Sequence, residues 1–299
     1  MDVGVGLPTA VPGVDPVTVV EWARRADDGP FASLGTVDRI VYDNFEPLVS
    51  LAAAAAVTSR VELVTCILIA PLRERSTLAK QLISLDALSG GRLTLGVAIG
   101  ARGDDYEHNE LFAGRSDQPI GGAASVVAAG QPRGDRLTDQ LTALRALWDD
   151  GRITPSGAPR RAPRILVGGA SGPAFARMAR LSDGYVHGGG PPRAFASAAT
   201  QARAAWADAG RPGEPQLWGQ GYYALGGDAD AEAGRDYLLD YYAFTGAFAH
   251  RIADGLLTTA LEVRAFVEGY ADAGCDHLIL LPATADLSQV DRLADVLDR

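Results

Sequence analysis

The amino-acid sequence predicts one α/β domain, a (β/α)8 barrel spanning residues 1–299. Three observations carry that expectation. Strand-like and helix-like runs alternate eight times along the chain. Several strand runs are almost continuously apolar, as parallel strands buried on both faces must be. The helix-like runs close on glycine shortly before the next strand begins.

The eight strands fall at VGVGL (3–7), ASLGTV (32–37), VELVTCILI (61–69), RLTLGVAI (92–99), RILVGG (164–169), GYVHGG (184–189), LWGQGYYAL (217–225) and DHLILLP (276–282). The helix ends are legible too. Asp15-Pro16 precedes VTVVEWARRAD, and proline suits a first helical turn. Ser76 is placed to cap TLAKQLISLDAL, which Gly90 and Gly91 stop. LRALWDDG, WADAG and YADAG end in glycine in the same way.

Two stretches break the rhythm. An insertion follows the fourth strand, and residues 103–135 are expected to form a mobile lid, because long loops of small residues at a barrel mouth usually serve the site. Two helical runs, about 229–249 and 258–273, lie between the seventh and eighth strands, so one is an extra helical segment. Residues 151–163 read as a proline-rich connector.

Composition excludes several classes. With 299 residues and 47% hydrophobic content, one large core is attainable. A net charge of -10 argues against a nucleic-acid or anionic-membrane partner. The longest apolar stretch, LVSLAAAAAV, is too short to span a bilayer. No secretory signal is visible, and the two cysteines, Cys66 and Cys275, suit a reducing, cytoplasmic setting. No zinc spacing, serine–histidine triad, Walker loop or nicotinamide-binding G-x-G-x-x-G unit is present, so no metal is expected. Lys80, the only lysine, lies in a helix, which disfavours Schiff-base chemistry at a strand end.

The block TSRVELVTCILIAPLRERSTLAKQLISLDALSGGRLTLGVAIG closely resembles the signature of the bacterial luciferase-like flavin oxidoreductases. ILVGGASGPAFARMARLSDGYVHGG resembles the fifth strand and phosphate loop of that family, and ALEVRAFVEGYADAGCDHLILLP its last helix and strand. The resemblance implies a barrel that holds reduced FMN, or alternatively the deazaflavin F420, at its C-terminal mouth. It implies a monooxygenase that uses oxygen and a small hydrophobic substrate, or an F420-dependent hydride transferase. A non-catalytic barrel subunit that stabilises a partner is a further alternative. A separate flavin or F420 reductase and a homodimer are the expected partners.

Site residues follow from position. Gly168, Gly169, Ala170, Ser171 and Gly172 form a glycine-rich turn that opens a helix, which suits a phosphate; a tight turn alone also needs such glycines. The resemblance places a bulge with a non-proline cis peptide at Cys66-Ile67, behind the flavin ring. Cys66 is not read as a nucleophile, since no basic partner is near it in sequence. Asp38-Arg39 stands where relatives carry histidine, so the usual acid–base role is in doubt; Arg39 could bind an anion or the flavin edge, or simply contact Asp38. Gly100 and Arg102 open the mouth loop and are candidates to bind the cofactor; in that loop Tyr106 could wall the substrate and Glu107 or His108 could move protons. His187, at the end of the sixth strand, is expected at the same rim. Trp218 and Tyr222 share one face of the seventh strand and are candidates for the substrate pocket, with Tyr223 on the other face. His250 and His277 have no supporting context.

Overall fold

The computed structural model describes residues 1–107, 126–127, 131–151, 153, 155 and 162–298. Eight parallel strands close a barrel: β1 (Asp2–Gly6), β2 (Ser33–Thr36), β3 (Glu62–Ile69), β4 (Leu93–Ala98), β7 (Arg164–Gly168), β8 (Gly184–Val186), β9 (Gln216–Tyr223) and β10 (His277–Pro282). The order around the barrel is the chain order, with β1 pairing β10 to close it. Each predicted strand is found within two or three residues of its expected ends. Between β4 and β7, β5 (Val126–Val127) and β6 (Gln131–Pro132) pair antiparallel outside the barrel.

Helices α1 (Pro16–Asp28), α2 (Pro47–Ala55), α3 (Arg75–Leu88), α5 (Arg133–Asp149), α6 (Gly172–Leu181), α7 (Pro192–Asp208), α10 (Ala260–Asp272) and α11 (Ser288–Leu297) cover the barrel. Asp15 caps α1 by accepting from the Val17 amide at 2.8 Å, and Pro16 opens the helix, as expected. The start of α3 differs from expectation. Glu74, rather than Ser76, is the cap, because its two carboxylate oxygens reach the amides of both Ser76 and Thr77. The expected run 229–249 is two helices, α8 (Asp228–Tyr241) and α9 (Phe248–Ala253), separated by a 3-10 turn (Ala243–Thr245) that ends at Gly246.

Strand alternation sorts the core into two layers. Leu63, Leu95, Ile165, Tyr185, Leu217 and Leu280 face outward and pack under the helices. Val64, Cys66, Leu166, Val186, Tyr222 and Ile279 fill the barrel interior. Each such fully buried side chain contributes about 1.5–3 kcal/mol. The N-terminal end of the barrel is closed by a polar floor. His277 stacks on Trp218 with ring centroids 4.0 Å apart, and its Nε2 lies 2.7 Å from Ser33 Oγ. Arg164 pairs with Glu62 at 3.0 Å beside them.

The pairing of β3 with β4 shifts register between Thr65 and Leu68. Gly96 permits this: a Cβ there would fall on the Thr65 carbonyl oxygen. Ile67, half-buried, packs against the barrel-interior cluster, and the Cys66–Ile67 peptide within the bulge is cis. Among the described residues, no helix is long and apolar enough to cross a membrane.

Candidate active site

The C-terminal mouth divides into two halves. Over β7 and β8 the described residues at the mouth are small and mostly exposed. Gly169, Ala170, Ser171 and Gly172 are all exposed, and Gly169 has φ +121°. Ser171 caps α6, accepting from the Ala174 amide at 3.4 Å, and the first turn of α6 holds no acidic residue. The exposed start of this helix therefore favours an anion. The next loop repeats the device. Gly188 and Gly190 are exposed before α7, and Gly189 and Gly190 have positive φ. The run GGGPP at 188–192 was the available signal for this second loop, and it was not read from the sequence. Two exposed glycine turns and the half-buried Ile67 of the bulge are the described residues that could hold a phosphate and a flat ring.

Cys66, below the bulge, is 1% exposed, and burial pushes its thiol up to about 12. It is a neutral packing group. Gly100, with φ +68°, turns the chain over Ile69 as it leaves β4.

The charges at the mouth are committed to one another. Asp38 accepts from the Ile69 amide at 2.7 Å and from Arg73 Nη1 and Nη2 at 2.6 and 3.1 Å. Arg39 donates from Nε to Asp105 at 2.8 Å and from Nη2 to the Val41 carbonyl at 2.9 Å. Asp105 also accepts from the amides of Ile40 and Val41. Of the alternatives open for Arg39, the direct contact with Asp38 is not made: Asp38 pairs with Arg73 and Arg39 with Asp105. Arg102 does not face the open half either. It binds Asp104 through Nε at 3.0 Å and the Tyr241 carbonyl through Nη1 at 3.1 Å, and lies over the Phe244 ring.

Three sequence candidates sit elsewhere. Trp218 belongs to the floor, 1% exposed, at the end of the barrel away from the mouth. Tyr106 in the short helix α4 (Asp104–Glu107) is 4% exposed, packs with Ile69 and Leu72, and donates to the Ile99 carbonyl. His187 follows Val186, an interior residue, so its ring faces outward onto Phe195 of α7, with centroids 5.8 Å apart. Burial lowers its pKa and its Nδ1 has no hydrogen-bond partner. Glu107 is exposed at the end of α4, and His108 lies outside the described residues, as do 109–125 and 128–130 of the expected lid.

The other half of the mouth, over β9, β10, β1 and β2, is a wall of tyrosines. Tyr222, at the end of β9, has its hydroxyl 2.9 Å from that of Tyr242. Tyr237 and Tyr241 of α8 pack beside them with ring centroids 5.6 Å apart. Arg39 lies between Tyr42 and Tyr241, 5.1 and 5.5 Å from their ring centres. Burial raises the pKa of Tyr222, Tyr237 and Tyr242, so the phenols stay protonated. Of this wall only Tyr222 was read from the sequence. DYLLDYYAF at 236–244 lies within the helical run read at about 229–249, but nothing local says that α8 folds back over the mouth.

A family model described as luciferase-like monooxygenase matches residues 1–269. The chain belongs to the luciferase-like monooxygenase family. An uncharacterised Mycobacterium tuberculosis protein is 32% identical over 188 residues, 58% of this chain and 60% of the relative. Pyrimidine monooxygenase RutA of Cronobacter sakazakii is 28% identical over 183 residues, 56% of this chain and 50% of the relative. The chain thus matches about half to three-fifths of the length of these relatives. Among solved structures, an F420-dependent secondary alcohol dehydrogenase in complex with an F420-acetone adduct has a TM-score of 0.78 at 17% identity, covering 99% of this chain and 97% of that one. The monooxygenase RslO1 of Streptomyces bottropensis has a TM-score of 0.74 at 23% identity, covering 99% and 97%. Both share the luciferase-like fold. Among the described residues, no group of three or more histidine, cysteine or carboxylate side chains could hold a metal.

Proposed function

We propose that this chain is an oxidoreductase that binds reduced FMN and uses oxygen to monooxygenate a small hydrophobic molecule. The observation that carries the reading is the divided mouth: exposed glycine loops at two helix starts on one side, protonated tyrosines on the other, and the intervening charges paired. The bound reduced flavin would supply the electrons that activate oxygen. The chain's residues have the supporting tasks. The amides of residues 168–172 and 188–190 hold the phosphate end. Ile67 offers an apolar seat for the ring, with Cys66 packed beneath it. The tyrosine wall keeps water from the far side, and paired charges hold the rim in place. A separate flavin reductase reloads the cofactor, and the working form is a homodimer.

Anaerobic melting curves with reduced FMN and with reduced F420 test the assignment. The cofactor that belongs here should stabilise the chain by about 2.7 kcal/mol at a hundred times its dissociation constant. Stabilisation by F420 alone would transfer the chain to hydride transfer. Stabilisation by neither, with a heteromeric partner on purification, would make it a non-catalytic subunit.

A further inference from the structure

Gln220 sits inside the barrel, between its floor and its mouth. Alternation along β9 puts it on one face with Trp218, which belongs to the floor, and Tyr222, which belongs to the tyrosine wall. Gly219 and Gly221 turn the other way, where a Cβ would strike Tyr270 and Phe266 of α10. Gln220 is 7% exposed. Its Oε1 is buried without a partner, and among the described residues no hydrogen bond reaches either end of the amide. Buried hydroxyls elsewhere in the barrel are paired: Thr9 and Thr36 meet at 2.8 Å, and Thr65 donates to the Gly96 carbonyl at 2.8 Å.

The neighbours of Gln220 belong to the cofactor half of the mouth. Gly189 packs against it: a Cβ there would lie 3.3 Å from the Gln220 backbone oxygen and 3.8 Å from its Cγ. Nothing comes within 4 Å of a Cβ built at Gly188 or Gly190, so the space around that turn is open. On β10 the register partner of Gln220 is Ile279. Ile279 and Cys66 both press on Gly35 from the interior, at 3.0 and 2.8 Å from a Cβ built there. Gln220 therefore borders both the 188–190 turn and the apolar layer under Ile67.

We propose that Gln220 is a cofactor-binding residue, and that its amide takes the ring edge on which a ring N–H stands beside a ring carbonyl. The inference rests on reading the mouth as the cofactor site. Reduced FMN and F420 share this edge. A primary amide meets it with two hydrogen bonds, Oε1 accepting from the N–H and Nε2 donating to the carbonyl. Rotation about the last side-chain torsion is broad and nearly two-fold, so either end of the amide can be presented. Without a ligand the amide is buried at a net loss, because it gives up its hydrogen bonds to water and gains none. Packing alone is served by apolar side chains, as at Leu166, Val186 and Ile279 in the same interior.

The test titrates reduced FMN, and reduced FMN methylated at the ring N–H, into the chain without oxygen. The unaltered chain should bind the methylated flavin about tenfold more weakly, since the methyl group removes the donor. Gln220→Met, close in size and apolar, should weaken reduced FMN by about tenfold and leave the methylated flavin unchanged. Its melting temperature without cofactor should be no lower than that of the unaltered chain, which a structural role for the amide would not allow. Gln220→Leu serves if Gln220→Met does not fold. Equal affinity of the unaltered chain for the two flavins, equal losses of both in the variant, or a lowered melting temperature with unchanged FMN affinity would overturn the proposal and leave the cofactor assignment standing. Binding of F420 in place of FMN would sink the FMN assignment, and the loss of F420 affinity in Gln220→Met then decides for Gln220. Binding of neither cofactor would overturn both.

Discussion

Arg39 shows how one side chain is fixed by what it must neutralise. It stands where relatives carry histidine, and its guanidinium is 3% exposed and bound to Asp105, itself 1% exposed. Arginine stays protonated, so its value here is a fixed positive charge and a planar fork. The fork holds Asp105 and the Val41 carbonyl while its face rests between Tyr42 and Tyr241. Arg39→Met should cost about 3–5 kcal/mol, because it leaves the Asp105 carboxylate buried without its cation. Urea unfolding measures this. A loss below about 1 kcal/mol would mean that the pair behaves like a surface ion pair. Arg39→Lys should restore only part of the stability, since an ammonium cannot repeat the fork.

At the scale of elements, the site is made where helices begin. The β7–α6 loop exposes its amides because Gly169 takes a left-handed conformation, with the space beyond its Cα closed by Ala174. Placing any side chain at 169 therefore strains the loop as well as altering its charge. Ser171→Asp separates the two effects. Aspartate caps a helix as well as serine does, so the melting temperature should hold. Its negative charge should repel a phosphate and weaken reduced FMN by about tenfold, near 1.4 kcal/mol. Unchanged affinity in a normally melting variant would take the phosphate away from this loop. A second element-level feature is α4, whose Asp105 ties the start of the insertion to the amides of Ile40 and Val41. Whatever the rest of that insertion does, its first turn is anchored to the β2 end.

The whole barrel depends on closing its floor as well as its mouth. His277 is 4% exposed, stacked on Trp218 and bonded to Ser33. Burial lowers its pKa to about 4, against an ordinary 6.5. The groups that face it are Asp2, 4.0 Å from Nδ1, with Arg164 and the chain's amino terminus near. In the unfolded chain His277 binds a proton more readily than in the folded one. Its contribution is therefore fully present above the unfolded value and is lost as pH falls from 6.5 toward about 4. The loss amounts to about 3 kcal/mol over that window. His277→Gln should flatten the pH dependence there, read from urea midpoints near neutrality and at mildly acid pH. An equally steep loss in the variant would move the effect to other groups.

The sequence by itself determined the architecture. Strand boundaries, helix stops at Gly90 and Gly274, the capped start at Asp15 and the insertion after the fourth strand are local signals, carried by periodicity and by residues with restricted backbone freedom. The turn at 168–172 and the cis peptide at Cys66–Ile67 were also legible, the first from glycine spacing and the second from family resemblance. Direction was not. Trp218 and Tyr222 share a face, but only the closed barrel sends one to the floor and the other to the mouth. His187 looked like a rim residue until its register with Val186 turned it onto α7. Asp38 and Arg39 found Arg73 and Asp105, partners 35 and 66 residues away. The tyrosines of α8 became a wall only because that helix folds over strands far from it in sequence. Pairings over such distances depend on where the closed barrel brings its ends, and no local pattern of residues encodes that.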